Sequence, residues 1–266
     1  MASSRATNRA TLTAWDDTGW IEVSDPAALG AARQIAQRHL DTLGRACHRE
    51  SARAEVHRIP CAAGRPVDVS PLLARVVQAS LEMAARTDGL VDPTVRVSRT
   101  TGQRSWIPVC GKVTGPAAGG GWRRVRLDGA RLTVPAGGTL ELRACALAVG
   151  LDDIALVAAQ LTGADVLVHL GGRAATIGHG QATTDPRHVV DPRTGRPAPG
   201  TWSRIEVSAA TCRTASGQAV AAAVLGERAE AWLARHHANA RLTRPDGSVV
   251  QVGAFEPAAL RTNVAA

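Results

Sequence analysis

The stretch SPLLARVVQASLEMAARTDGLVDPTV, Ser70 to Val95, carries the pattern from which the fold is read. Ser70 stands where a helix cap is needed, and Pro71 fits the first turn because its missing N–H would lack a partner there anyway. Leu72, Leu73, Val76, Val77, Leu81 and Met83 recur at helical spacing and define one apolar face. The pattern stops before Thr87-Asp88-Gly89, and Leu90-Val91-Asp92-Pro93-Thr94-Val95 follows. Taken alone, that end reads as a helix stop and a turn. The alternative is a rigid loop offering a carboxylate and N–H groups to a ligand.

Working outward, Trp20 to Val23 reads as a short strand, and Asp25-Pro26 opens a helix with Leu29, Ile35, Leu40 and Leu43 on its inner side. Residues 111–121 read as a flexible linker. Val125–Leu127 and Leu132–Val134 flank Asp128-Gly129 as a hairpin, and Arg241 to Val252 repeats the pattern around Asp246-Gly247. Residues 144–162 and Ala219 to His236 read as helices. Val166–Leu170 and Ile205–Ala209 read as strands, the first buried. Helices alternate with short hairpins without βαβ spacing, which predicts an α+β fold.

The chain has 266 residues and 45% hydrophobic content, enough for one sizeable core. Its net charge of +8 comes from arginines spread along the length, with Lys112 the only lysine. No nucleic-acid-binding signature accompanies that charge. The five cysteines, Cys47, Cys61, Cys110, Cys145 and Cys212, form no CxxC pair, so neither a zinc site nor a disulfide framework is indicated. No apolar run reads as membrane-spanning, and the N-terminal residues lack the apolar core of a signal peptide. We expect a cytoplasmic protein that engages neither membrane nor nucleic acid.

Two more segments stand out. Leu167-Val168-His169-Leu170-Gly171-Gly172 is a strand ending in paired glycines, either a tight turn or a place where backbone approaches a phosphate. His188-Val189-Val190-Asp191-Pro192-Arg193-Thr194-Gly195 sets a histidine, able to act as base or ligand near neutrality, beside a turn. In order, SPLLARVVQASLEMAARTDGLVDPTV, WRRVRLDG, DVLVHLGG, HVVDPRTGRP and ATCRTASGQAVAAAVLG resemble the flavin transferase (ApbE) family. The resemblance implies an ApbE-like fold over residues 13–257, with antiparallel sheets and packed helices, and loose ends at 1–12 and 258–266. It also implies FAD:protein FMN transferase chemistry. Such enzymes split FAD, pass FMN to a Thr or Ser hydroxyl of a target protein and release AMP, with Mg²⁺ neutralising the pyrophosphate.

Carried onto this sequence, the family pattern assigns His188 as the catalytic residue. It assigns Leu90, Val91, Asp92, Glu141, Leu147, Gly171, Gly172 and Thr183 to the flavin dinucleotide, and Ala144, Ser216 and Val220 to the metal. Several positions depart from it. Arg143 stands for a glycine, a change expected to clash or reorganise the loop. Leu147 replaces a lysine and Arg173 an acid, while Ser216 and Val220 replace an acid and a hydroxyl. The segment between Gly178 and His188 is short, with Thr183 as the remnant of a flavin-facing threonine, and is expected to leave a sheet edge bare. These changes predict weak or absent transfer. The alternative is a non-catalytic relative that binds flavin or a partner, with Arg143 and Arg173 either structural or replacement phosphate contacts.

Overall fold

The computed structural model describes residues 8–95 and 121–260. The linker expected at 111–121 lies, but for its last residue, outside them. The strands are β1 (Arg9–Ala14), β2 (Asp17–Val23), β3 (Val67–Asp68), β4 (Arg126–Asp128), β5 (Arg131–Thr133), β6 (Val166–Leu170), β7 (Arg173–Thr176), β8 (His179–Thr184), β9 (Arg204–Ala209), β10 (Asn239–Thr243) and β11 (Val249–Val252). The helices are α1 (Leu29–Cys47), α2 (Arg58–Cys61), α3 (Pro71–Arg86), α4 (Arg143–Thr162), α5 (Cys212–Leu225) and α6 (Ala229–Arg235). An eight-stranded sheet runs β1-β2-β6-β7-β8-β9-β10-β11, and a small second sheet runs β3-β5-β4. Every pairing is antiparallel. The fold is α+β, as its pattern predicted.

Local chemistry sets the elements. Ser70 caps α3, its hydroxyl accepting from the Leu73 N–H at 3.2 Å, and Asp25 caps the turn into α1 by accepting from Ala27 N–H at 2.9 Å. Helix α1 buries Ala32, Ala36, Leu40, Leu43 and Cys47 at intervals of one turn, so one stripe faces the core and the rest faces water. Helix α4 is apolar nearly all round and packs on α1, α3, α5 and the sheet. It is long and apolar enough to cross a membrane, contrary to the sequence reading, but it is the central core helix. Its Asp153 is held there by Arg75 and His39.

Other outcomes also differ from expectation. Strand β1 begins at Arg9, inside the stretch read as loose, because it pairs with β2 from Arg9↔Glu22 to Ala14↔Asp17. The long C-terminal helix divides at Gly226, and α5 begins early, at Cys212 behind the Thr211 cap. The short segment after Gly178 leaves no bare edge. Strand β8 pairs with β7 on one side and β9 on the other. Among the described cysteines, Cys61 is disulfide-bonded, whereas Cys47, Cys145 and Cys212 are buried free thiols.

Candidate functional site

The entrance to α4 gathers several residues singled out in the sequence. The Glu141 N–H donates to the Pro93 carbonyl at 2.7 Å, tying the Asp92-Pro93-Thr94 loop to this entrance. Inside the loop Asp92 is buried, and its Oδ1 accepts from the Thr94 N–H at 2.8 Å and the Thr94 hydroxyl at 2.6 Å. The Glu141 carboxylate accepts from Arg49 at 3.0 Å. Leu90 is buried in a cluster with Ala221 and Val224, against which the half-buried Val91, Val189 and Trp232 pack.

Arg143 causes no clash. It leaves the first turn of α4 and reaches the β1–β2 hairpin, donating to the Trp15 carbonyl and to Asp17 Oδ2, each at 2.7 Å. Of the two readings of Arg143, the structural ion pair is the one observed. Asp17 also dictates Gly171. The backbone there has φ +57°, and an added Cβ would sit 2.8 Å from Asp17 Oδ2 and 3.4 Å from Leu147 Cδ1. Leu147 is buried beneath this glycine. The Gly172 carbonyl accepts from the Thr183 N–H at 2.7 Å, so these two predicted residues are neighbours.

Arg173 behaves differently from Arg143. Its Nη1 donates to the Gly171 carbonyl at 2.8 Å, and its buried Nε has no hydrogen-bond partner among the described residues. Burial pushes its pKa below the ordinary value, and the nearby Cys212 and Asp17 oppose that shift. A few residues away, Asp152 of α4 caps α5 from outside, accepting from the Cys212 N–H at 2.7 Å and the Arg213 N–H at 3.1 Å. Burial raises the Asp152 pKa, and these two N–H groups resist the rise. Burial also pushes the thiols up, Cys145 to about 11 and Cys212 to about 12, so both are protonated at neutral pH.

His188 lies on a short turn, Pro186–His188, capped by Asp185. Its side chain is 83% exposed, and its Nε2 lies 3.9 Å from Asp185 Oδ2. Asp191 is committed to its own loop, accepting from Arg193 Nε at 2.9 Å and Nη2 at 2.8 Å. The Arg193 side chain holds the Asp191 pKa below the usual carboxylate range. Between α3, α5 and α6 lies a cavity of about 430 Å³ bordered by Met83, Arg86, Thr87, Arg213, Gln218 and Trp232. The sequence reading singled out neither the Asp17–Arg143 pair nor Arg213. A turn signal in Trp15-Asp16-Asp17-Thr18 could have exposed the former.

Compared with known proteins, the chain matches the ApbE family over residues 8–186. The chain belongs to the ApbE family. Among solved structures, the flavin transferase ApbE from Vibrio cholerae, in a histidine-to-glycine variant, is 19% identical with a TM-score of 0.75, over 93% of this chain and 98% of that one. The apo flavinyl transferase ApbE of Pseudomonas stutzeri gives 18%, 0.77, 92% and 94%, and the ApbE protein of Thermotoga maritima 18%, 0.78, 92% and 96%. These likenesses establish an ApbE fold. No curated protein matches the chain.

The family implies a divalent metal, and this ApbE chain's donors fit Mg²⁺ poorly. Ser216 is buried one turn beyond Cys212, whose thiol lies beside its hydroxyl. Val220 has no side-chain oxygen, and Ala144 is an exposed residue in the first turn of α4. Nearby carboxylates are already engaged: Asp152 with α5, Asp17 with Arg143, Glu141 with Arg49. Magnesium requires hard oxygen donors in near-octahedral array. Three positions without one carboxylate do not supply it.

Proposed function

We propose that this chain is an FAD-binding member of the ApbE family in which magnesium-dependent transfer of FMN to a Thr or Ser hydroxyl is very slow or lost. The observation that carries this reading is the oxygen-poor donor set at Ala144, Ser216 and Val220. Each lost metal ligand costs a few kcal/mol of transition-state stabilisation, and about 1.4 kcal/mol is a factor of ten in rate. Family membership supports FAD as the ligand. A protein bearing a Thr or Ser acceptor would be the partner if transfer persists. Gly171, Gly172 and Thr183 supply backbone that approaches closely. His188 is exposed enough to meet an acceptor hydroxyl.

The test is incubation of the purified chain with FAD, Mg²⁺ and a Thr-bearing target peptide, followed by assay for AMP and a covalent flavin mass shift. We expect FAD to raise the melting temperature with little AMP formed. Robust magnesium-dependent turnover refutes the proposal. Failure of FAD to bind also refutes it, and favours a scaffold that engages a protein partner.

A further inference from the structure

We propose that Asp16, His48 and Glu50 form a binding site for a divalent transition-metal ion of the zinc class. The site is separate from the family metal positions and does not rest on the function proposed above. One ligand atom from each residue lies within 4.8 Å of the other two, and His48 Nε2 is 4.0 Å from Glu50 Oε2. A tetrahedral ion holding its ligands at roughly 2.0–2.2 Å spaces them about 3.3–3.6 Å apart. Asp16 and Glu50 are exposed, so small rotations of their side chains close the difference.

The imidazole is the group that makes this more than a pair of surface acids. His48 stacks on Trp15, with ring centroids 5.3 Å apart and planes within 5° of parallel. That stack fixes the plane of the ring. The Nε2 is buried and has no hydrogen-bond partner among the described residues. Of the described histidines with a ring nitrogen in that state, His48 is the one with two carboxylates within 4.8 Å. Its backbone is fixed as well: the His48 N–H caps α1 through the Gly44 carbonyl at 3.1 Å, and the Ser51 N–H returns to the His48 carbonyl at 3.0 Å. Asp16 is held opposite in the two-residue hairpin turn between β1 and β2.

Charge and ligand type select the ion. One neutral imidazole and two carboxylates balance a dication. Arg143, which reaches the same hairpin, is bonded to Asp17 and the Trp15 carbonyl. A mixed nitrogen and oxygen set suits zinc and its neighbours, whereas magnesium prefers oxygen alone. The exposed rim leaves water to complete the shell.

The experiment uses the full chain without an affinity tag, stripped by a chelator and titrated with Zn²⁺ against a competing chromophoric chelator. We expect one zinc per chain and a raised melting temperature. Asp16→Asn and Glu50→Gln keep size and fold, and each should weaken binding at least as much as the roughly 10–100-fold cost of losing an outer partner. Absence of zinc binding overturns the proposal. So does equal affinity in the Asp16→Asn, Glu50→Gln double variant, because the ion would then lie elsewhere. Displacement of zinc by millimolar Mg²⁺ overturns the choice of ion.

Discussion

Single side chains decide how the α4 entrance is held. Gly171 is locked between its left-handed backbone and the Asp17 carboxylate. Gly171→Ala should therefore cost about 1–3 kcal/mol, read as a lower urea midpoint with an unchanged slope. Asp152 holds two N–H groups of α5, and Asp152→Ala leaves them unpaired. The expected loss is about 1–3 kcal/mol, with Asp152→Asn intermediate because its one carbonyl oxygen can still accept. At this scale the sequence was partly legible. Gly171, Gly172 and Thr183 could be named in advance, whereas the contact from Arg143 to Asp17 spans 126 positions and leaves no local trace.

Elements were more legible where a cap or a turn announces them. Ser70, Asp25 and the two Asp-Gly hairpins lie where the pattern put them. The start of α5 was missed although Thr211 offers a local cap, its hydroxyl accepting from the Thr214 N–H at 3.1 Å. The second cap, Asp152, comes from another helix and leaves no local signal. Strand β1 was missed because its polar composition resembles an unstructured end, and only pairing with β2 orders it. Strand β8 and α5 approach so closely that an added Cβ at Gly180 would lie 1.8 Å from the Cys212 nitrogen. Gly180→Ala should destabilise by more than about 3 kcal/mol, because backbone on both sides must move. Loss of cooperative thermal unfolding would register it, and a near-normal melting temperature would contradict the packing described.

Across the molecule, charge couples stability to acidity. Arg193 beside Asp191 and Arg187 beside Asp185 hold those carboxyls below the usual carboxylate range. Asp153 is also lowered: burial works against ionisation there, but His39 and Arg75 together outweigh it. In each case the unfolded chain takes up a proton first, at a pH near 3.9. Stability from these pairs is therefore full above that value and falls as pH drops through the lower folded-state values. Burial also holds the imidazoles of His57 and His169 below their ordinary value. The unfolded chain therefore protonates them first, and stability falls as pH drops through about 6.5. Chemical denaturation from pH 8 to pH 2 should show a shallow decline near pH 6 and a second below about pH 4. A flat profile down to pH 4 would contradict the histidine contribution.

The eight-stranded sheet places β1 on one rim and β11 on the other. Seven inter-strand gaps separate them, roughly 33–34 Å if the sheet were flat and less once it twists. A peptide bridge joining Arg9 to Val252 would need on the order of ten extended residues to span it. Circular permutation with a short connector would therefore strain the sheet at both rims. Dyes attached to these two strands would span the full width of the sheet, so their energy transfer would register a fraying rim as well as a break between any two neighbouring strands.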